Sequence, residues 1–207
     1  ARLDHDPPFV AMELVPDGSL RDTLRTGPLA PGRALEVVTQ VAAALDHAHA
    51  RGVLHRDVKP ENVLVDARAG RYKVADFGGA RLEADQAVAH SLPVTGDLRL
   101  AGTRDYAAPE LREGSARLDR RADVYSLGVL AYELLTGRLP LGLDRPSELS
   151  PALPRAVDAA LERALARSPE RRTMSAGALA RDLTQAFAAG PAIGAARVAP
   201  PPRPALR

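Results

Sequence analysis

The chain has 207 residues, enough for one ordinary domain with a sizeable core. Its 45% hydrophobic and 26% charged residues are those of a globular protein, and a net charge of only +2 argues against a dedicated nucleic-acid surface, although the pI is about 9.3. Without cysteine there is no disulfide framework, thiolate metal site or thiol switch, and no run of about 18 apolar residues marks a membrane span.

Aromatic residues make up 3%, so a core of Leu, Val and Ala is expected. Pro8 to Val15 reads as a short apolar strand, and Ser19 followed by Asp22 suits the start of a short helix. A longer helix is predicted from Pro31 to Ala50, with Ala34, Val37, Val38, Val41, Leu45 and Ala48 on one face. Pro31 suits its first turn. His47 and His49 fall near its end, where a helix-end cation or a packed core histidine is favoured over a proton shuttle. Next comes His55-Arg56-Asp57-Val58-Lys59-Pro60-Glu61-Asn62, a tight polar loop between the apolar runs Val53-Leu54 and Val63-Leu64-Val65. A bare charged turn would account for one charge there, but not for four polar groups at this spacing. Tyr72-Lys73-Val74-Ala75 reads as a strand ending in Asp76-Phe77-Gly78, 14 positions beyond Asn62. Gly79 to Ala101 is polar and irregular, and Gly102 to Glu110 follows. Asp123 to Leu135 is apolar nearly all round, which predicts a helix buried on most faces with Gly137 as its C-terminal cap. Leu141 to Leu153 carries Pro146 and Pro151 and is followed by Pro154, leaving little room for a helix. Two more helices are predicted near 154–167 and 175–188. Residues 190–207, with Pro200-Pro201-Pro202, read as an extended, solvated linker.

These segments, in this order, resemble the C-terminal lobe and hinge of eukaryotic-type (Hanks-type) Ser/Thr protein kinases. The excess of Arg over Lys and of Ala and Pro suits a bacterial source. The resemblance implies a mainly α (α+β) fold, helical with short β-strands at the catalytic cleft. It implies transfer of the γ-phosphoryl of ATP, with Mg²⁺, to Ser or Thr hydroxyls of proteins. Such transfer is mostly positioning and charge neutralisation, and needs a carboxylate near the hydroxyl, a cation near the phosphate and hard ligands for the ion. By resemblance Asp57 orients the hydroxyl and takes its proton, and Lys59 neutralises the γ-phosphate. Asn62 and Asp76 hold Mg²⁺, and Thr103 contacts Asp57 and Lys59. The backbone of Glu13 and Val15 meets adenine, Leu64 forms its floor and Met12 is the gatekeeper. Arg56 is the residue that in related kinases pairs with an activation-loop phosphate; Ser91 and Thr95 are the hydroxyls of that loop, read equally as phosphate acceptors or as ordinary loop residues. Asp123 braces the catalytic loop, and Arg171 pairs with Glu110.

On this resemblance, residues 1–12 are the edge of the N-lobe, 13–189 the C-lobe and 190–207 a disordered linker. The rest of the N-lobe is expected in a parent protein, since no Gly-rich loop or N-lobe Lys has a counterpart. The lysines are Lys59 and Lys73, and Lys73, three before Asp76 on a strand, points to the opposite face. Protein substrates, no nucleic acid and a cytoplasmic location are expected, and no signal peptide opens the chain. One alternative is a non-catalytic, pseudokinase-like binding module. A small-molecule kinase of the aminoglycoside-phosphotransferase type is disfavoured by Lys59, Thr103 and Ala108-Pro109-Glu110, which serve a protein acceptor. Phe9, Val10, Met12 and Leu64 are expected to be exposed and to make the chain prone to association.

Overall fold

The computed structural model describes residues 11–77, 81–82, 104–115, 118–140 and 144–190. Chain order gives α1 (Leu20–Leu24), α2 (Pro31–His49), β1 (Val53–Leu54), β2 (Val63–Asp66), β3 (Arg71–Val74) and β4 (Arg81–Leu82). It continues with α3 (Pro109–Arg112), α4 (Arg121–Thr136), α5 (Pro146–Leu149), α6 (Arg155–Ala164) and α7 (Ala176–Ala188). Short 3₁₀ turns cover Pro60–Asn62 and Pro169–Arg171.

Helix α4 is the axis of the lobe. Every residue from Ala122 to Leu135 except Tyr125 is buried, as its unbroken apolar pattern requires. It packs on α2, α6 and α7, and α7 closes the bundle against α2 and α6. Each fully buried leucine at this centre, such as Leu127, Leu130 and Leu134, contributes about 1.5–3 kcal/mol. The helix stops where Gly137 takes φ 71° and its N–H bonds the Glu133 carbonyl at 2.7 Å. Helix α2 buries the face formed by Ala34, Val37, Val38, Val41, Leu45 and Ala48, the stripe expected from its period. Asp46 on its other side accepts the Gly177 N–H at 3.0 Å, so α2 caps the start of α7 alongside Ser175, whose hydroxyl accepts from Ala178.

Two small antiparallel ladders frame the cleft. β2 and β3 pair Val63 with Val74 through to Asp66 with Arg71, and Gln40 of α2 binds their connection through Gly70 O and Tyr72 N, each at 3.0 Å. β1 and β4 pair Val53 with Leu82 and Leu54 with Arg81.

Some expectations need correction. The stretch 79–101, read as irregular, contributes β4, because a two-residue strand is made by its partner and leaves no periodic trace. The proline-rich stretch 141–153 does hold one helical turn, α5. Pro146 sits at its first position, and Asp158 accepts from both the N–H and the hydroxyl of Ser147. Leu64 is half-buried rather than exposed, since the Ser19 backbone bridges to it. Met12, by contrast, is 76% exposed as expected. Ser91, Thr95, Thr103, Phe9, Val10 and the linker beyond residue 190 lie outside the described residues. Among those described, no helix is long and apolar enough to cross a membrane.

Candidate active site

The loop between β1 and β2 is held from below by one carboxylate. Asp123, in the first turn of α4 and fully buried, accepts the N–H of His55 at 2.9 Å and of Arg56 at 2.7 Å. His49 Nε2 lies 2.7 Å from the same carboxylate. A buried carboxylate survives on such donors, and these fix the loop's entry. Arg56 is bent to φ 68°, a region ordinary residues avoid, and the hydrogen bonds from its own N–H and that of His55 to Asp123 hold it there. Asp123 thus braces the loop as the resemblance implied, and His49 is a packed core histidine.

His55 ties the loop to the strand that follows. Its Nε2 lies 3.1 Å from the Ala75 carbonyl, which can only accept, so Nε2 carries the proton. Nδ1 is then free to accept the Asp57 N–H at 3.2 Å. The ring packs on Phe77 with centroids 4.5 Å apart.

The polar centre lies above this. The Asp57 carboxylate, about one-fifth exposed, accepts from Lys59 Nζ at 2.7 Å and from Asn62 Nδ2 at 2.9 Å. Asn62 Nδ2 also donates to the Asp57 carbonyl at 2.8 Å. Both neighbours are acceptors, so the amide nitrogen must face them and the amide oxygen turns away, free to act as a hard ligand. The Asn62 carbonyl accepts the Ala75 N–H at 2.8 Å, which places Asp76, exposed and at φ 62°, one residue beyond that bond. Two of the expected residues, Lys59 and Asn62, therefore meet at a third, Asp57, and Asp76 follows from the strand bonded to Asn62. Among the described residues no three His, Asp or Glu converge as a metal cage. An asparagine oxygen and one carboxylate, completed by phosphate oxygens and water, suit Mg²⁺ better than an all-protein cage would.

The run 13–15 is tied to β3 by a side chain. Lys73 Nζ of β3 pairs with the Glu13 carboxylate at 2.5 Å. Val15 and Leu64 are half-buried.

One sequence assignment was displaced by a residue. Glu110 pairs with Arg172, not Arg171: Nη1 and Nη2 reach its two oxygens at 2.5 and 2.7 Å. After the 3₁₀ turn Pro169–Arg171 the backbone at Arg172 is extended, so adjacent side chains diverge. Arg172 points inward with no exposed side chain, and Arg171 stays outside. The sequence reading also passed over Arg21, Tyr106 and Glu133, which bond one another beside the loop. A glutamate inside the otherwise apolar run of α4 was the available signal, because a buried charge requires a partner.

The protein kinase domain model matches residues 3–181. A serine/threonine-protein kinase, PknD of Mycobacterium tuberculosis, is 43% identical over 83% of this chain and 27% of its own length. Pkn1 of Myxococcus xanthus is 40% identical over 93% of this chain and 29% of its own. PknB of Mycobacterium leprae is 36% identical over 89% and 31%. The chain thus spans about a third or less of these relatives. The solved PknI kinase domain of Mycobacterium tuberculosis superposes with a TM-score of 0.67 at 34% identity, over 84% of this chain and 64% of that one. With catalytic-loop geometry and family match in agreement, the chain belongs to the protein kinase family, in its bacterial Hanks-type serine/threonine branch.

Proposed function

We propose that residues 13–189 are the catalytic lobe of a kinase that moves the γ-phosphoryl of Mg-ATP to a Ser or Thr hydroxyl of a protein. The observation that carries this is the bracketed carboxylate of Asp57, with Lys59 at 2.7 Å on one side and Asn62 at 2.9 Å on the other. Asp57 accepts a hydrogen bond from the acceptor hydroxyl, orients it and takes its proton as the oxygen bonds to the γ-phosphorus and the bond from that phosphorus to the ADP oxygen breaks, ADP leaving. Lys59, held at Asp57, offsets charge on the transferring group. Asn62 and Asp76 would hold Mg²⁺, which would supply charge neutralisation for the phosphates. Thr103 contacts Asp57 and Lys59, and the backbone of Glu13 and Val15 with the Leu64 side chain receives adenine. In this reading efficient transfer also draws on a nucleotide-covering N-lobe, of which residues 1–12 are the edge, and residues 190–207 are a linker. The site of action is the cytoplasm, where ATP is available.

A second reading, a non-catalytic binding lobe, draws on Lys73. It pairs with Glu13, and Lys59 is engaged at Asp57, so in this reading neither lysine of the chain takes the place of the N-lobe lysine. Intact-protein mass after incubation with Mg-ATP separates the two. The measurement is made on the chain and, where it is part of a longer polypeptide, on that polypeptide. The kinase reading expects gains in multiples of one phosphoryl group that vanish in Asp57→Asn. No gain in either form, or an equal gain in Asp57→Asn, overturns it.

A further inference from the structure

Helix α1 is five residues long with only Leu20 buried, too short to hold its position by helix formation alone. Arg21 in its first turn joins three other parts of the chain. Its Nε donates to Glu61 at 2.7 Å, Nη1 to Glu133 at 2.8 Å and Nη2 to the Tyr106 hydroxyl at 2.7 Å. The Tyr106 hydroxyl in turn donates to the second oxygen of Glu133. Glu133 and Tyr106 are buried, while the Glu61 side chain is 46% exposed. Burial works against the Arg21 charge, but the bonds to Glu133, Glu61 and Tyr106 outweigh it and hold the guanidinium charged. Burial and the adjoining Glu133 push the Tyr106 hydroxyl up, so it remains a donor.

The placement of these groups suggests more than a local ion pair. Asp123 holds the entry of the catalytic loop, at His55 and Arg56. Glu61 lies at its exit, between Lys59 and Asn62, and packing leaves it half in solvent. Tyr106 stands three residues beyond Thr103, in the segment that leads into α3. One planar guanidinium therefore spans the exit of the catalytic loop, the end of α4 and the segment next to the expected acceptor seat. A lysine ammonium cannot serve three acceptors in one plane.

We propose that Arg21 is a positioning residue for phosphoryl transfer: a guanidinium clamp that fixes the catalytic-loop exit at Glu61 against the Tyr106 segment through Glu133. The catalytic part rests on the kinase reading of Asp57, Lys59 and Asn62; the clamp itself does not. Two measurements on the full chain test it, in wild type, Arg21→Ala and Arg21→Lys. The first is amide hydrogen exchange without nucleotide at Asn62 and Ala107, whose N–H groups bond Lys59 and Arg104 carbonyls. Arg21→Ala is expected to speed both about tenfold, the worth of one charge-assisted bond, and millimolar guanidinium ion is expected to reverse this. Faster exchange confined to residues 20–24, or no reversal by guanidinium, overturns the clamp. The second is steady-state phosphorylation of a Ser/Thr peptide, on the longer polypeptide where there is one. Arg21→Ala is expected to lower kcat about tenfold with the KM for ATP unchanged, and Arg21→Lys to restore only part. An unchanged kcat beside faster exchange shows a merely structural residue and overturns the positioning role. A wild type that transfers no phosphate overturns the kinase reading instead, and the exchange result still decides the clamp.

Discussion

Arg172 uses all five of its N–H donors. They reach both oxygens of Glu110 and the carbonyls of Ala166, Arg167 and Arg121, while the guanidinium lies 4.9 Å from the Tyr125 ring. Removing it strands a nearly buried carboxylate and three carbonyls. Arg172→Ala should therefore cost about 3–5 kcal/mol, the penalty for breaking a buried pair. Arg171→Ala, one residue earlier and exposed, should stay within about 0.5 kcal/mol. Urea unfolding of the two variants checks this, and equal losses would sink the assignment of the ion pair to Arg172. The sequence named the right motif here and the wrong arginine. Two adjacent arginines are chemically alike, and which one turns inward depends on the backbone at the end of a 3₁₀ turn. Asp57, Lys59 and Asn62 were legible for the opposite reason. Their spacing within one loop lets them touch, so no distant element had to be foreseen. Arg21 and Glu61 are 40 positions apart and their pairing was not visible in any local pattern.

At the scale of elements, long periodic segments were readable and one-turn segments were not. Helix α2 carries enough apolar residues to declare a period, and α4 an unbroken apolar run of helical length. The pieces α3, α5 and β4 are held by Arg172 at Glu110, by Asp158 at Ser147 and by the partner strand β1, and their residues alone specify little. Gly128 shows how packing overrides local preference within α4. Alanine is favoured over glycine in a helix interior by about 1 kcal/mol. At this position an added Cβ would stand 3.0 Å from the Ala164 Cβ and 3.3 Å from Leu165 Cδ2, both at the end of α6. Overpacking of a close helix contact costs about 1–3 kcal/mol. Gly128→Ala should therefore destabilise on balance, by up to about 2 kcal/mol, and loosen α6 against α4. Thermal unfolding reads the sign, and a rise in Tm would mean that α6 yields and helix preference wins.

At the scale of the whole molecule, the helical half of the lobe is closed and the cleft side is open. Leu127, Val157, Leu161 and Leu179 are buried almost completely, whereas Met12 is 76%, Leu14 87% and Phe77 41% exposed. Met12 and Leu14 flank Glu13, which the Lys73 pair draws beside β3, and β3 leads through Asp76 to Phe77. Apolar side chains are therefore exposed on this side, while Asp57 on the same side is bonded by Lys59 and Asn62. Exposed apolar area of this kind drives association, with a free energy that grows with the surface it removes from water. The chain on its own should thus self-associate as its concentration rises, and Met12→Glu combined with Leu14→Glu should shift it toward monomer. The Asp57–Lys59–Asn62 cluster contains neither residue, so far-ultraviolet circular dichroism and the unfolding midpoint should barely change. Light scattering across a concentration series decides it. A monodisperse wild-type monomer at high concentration would show that these side chains are too broken up by Glu13 and Lys73 to act as one patch.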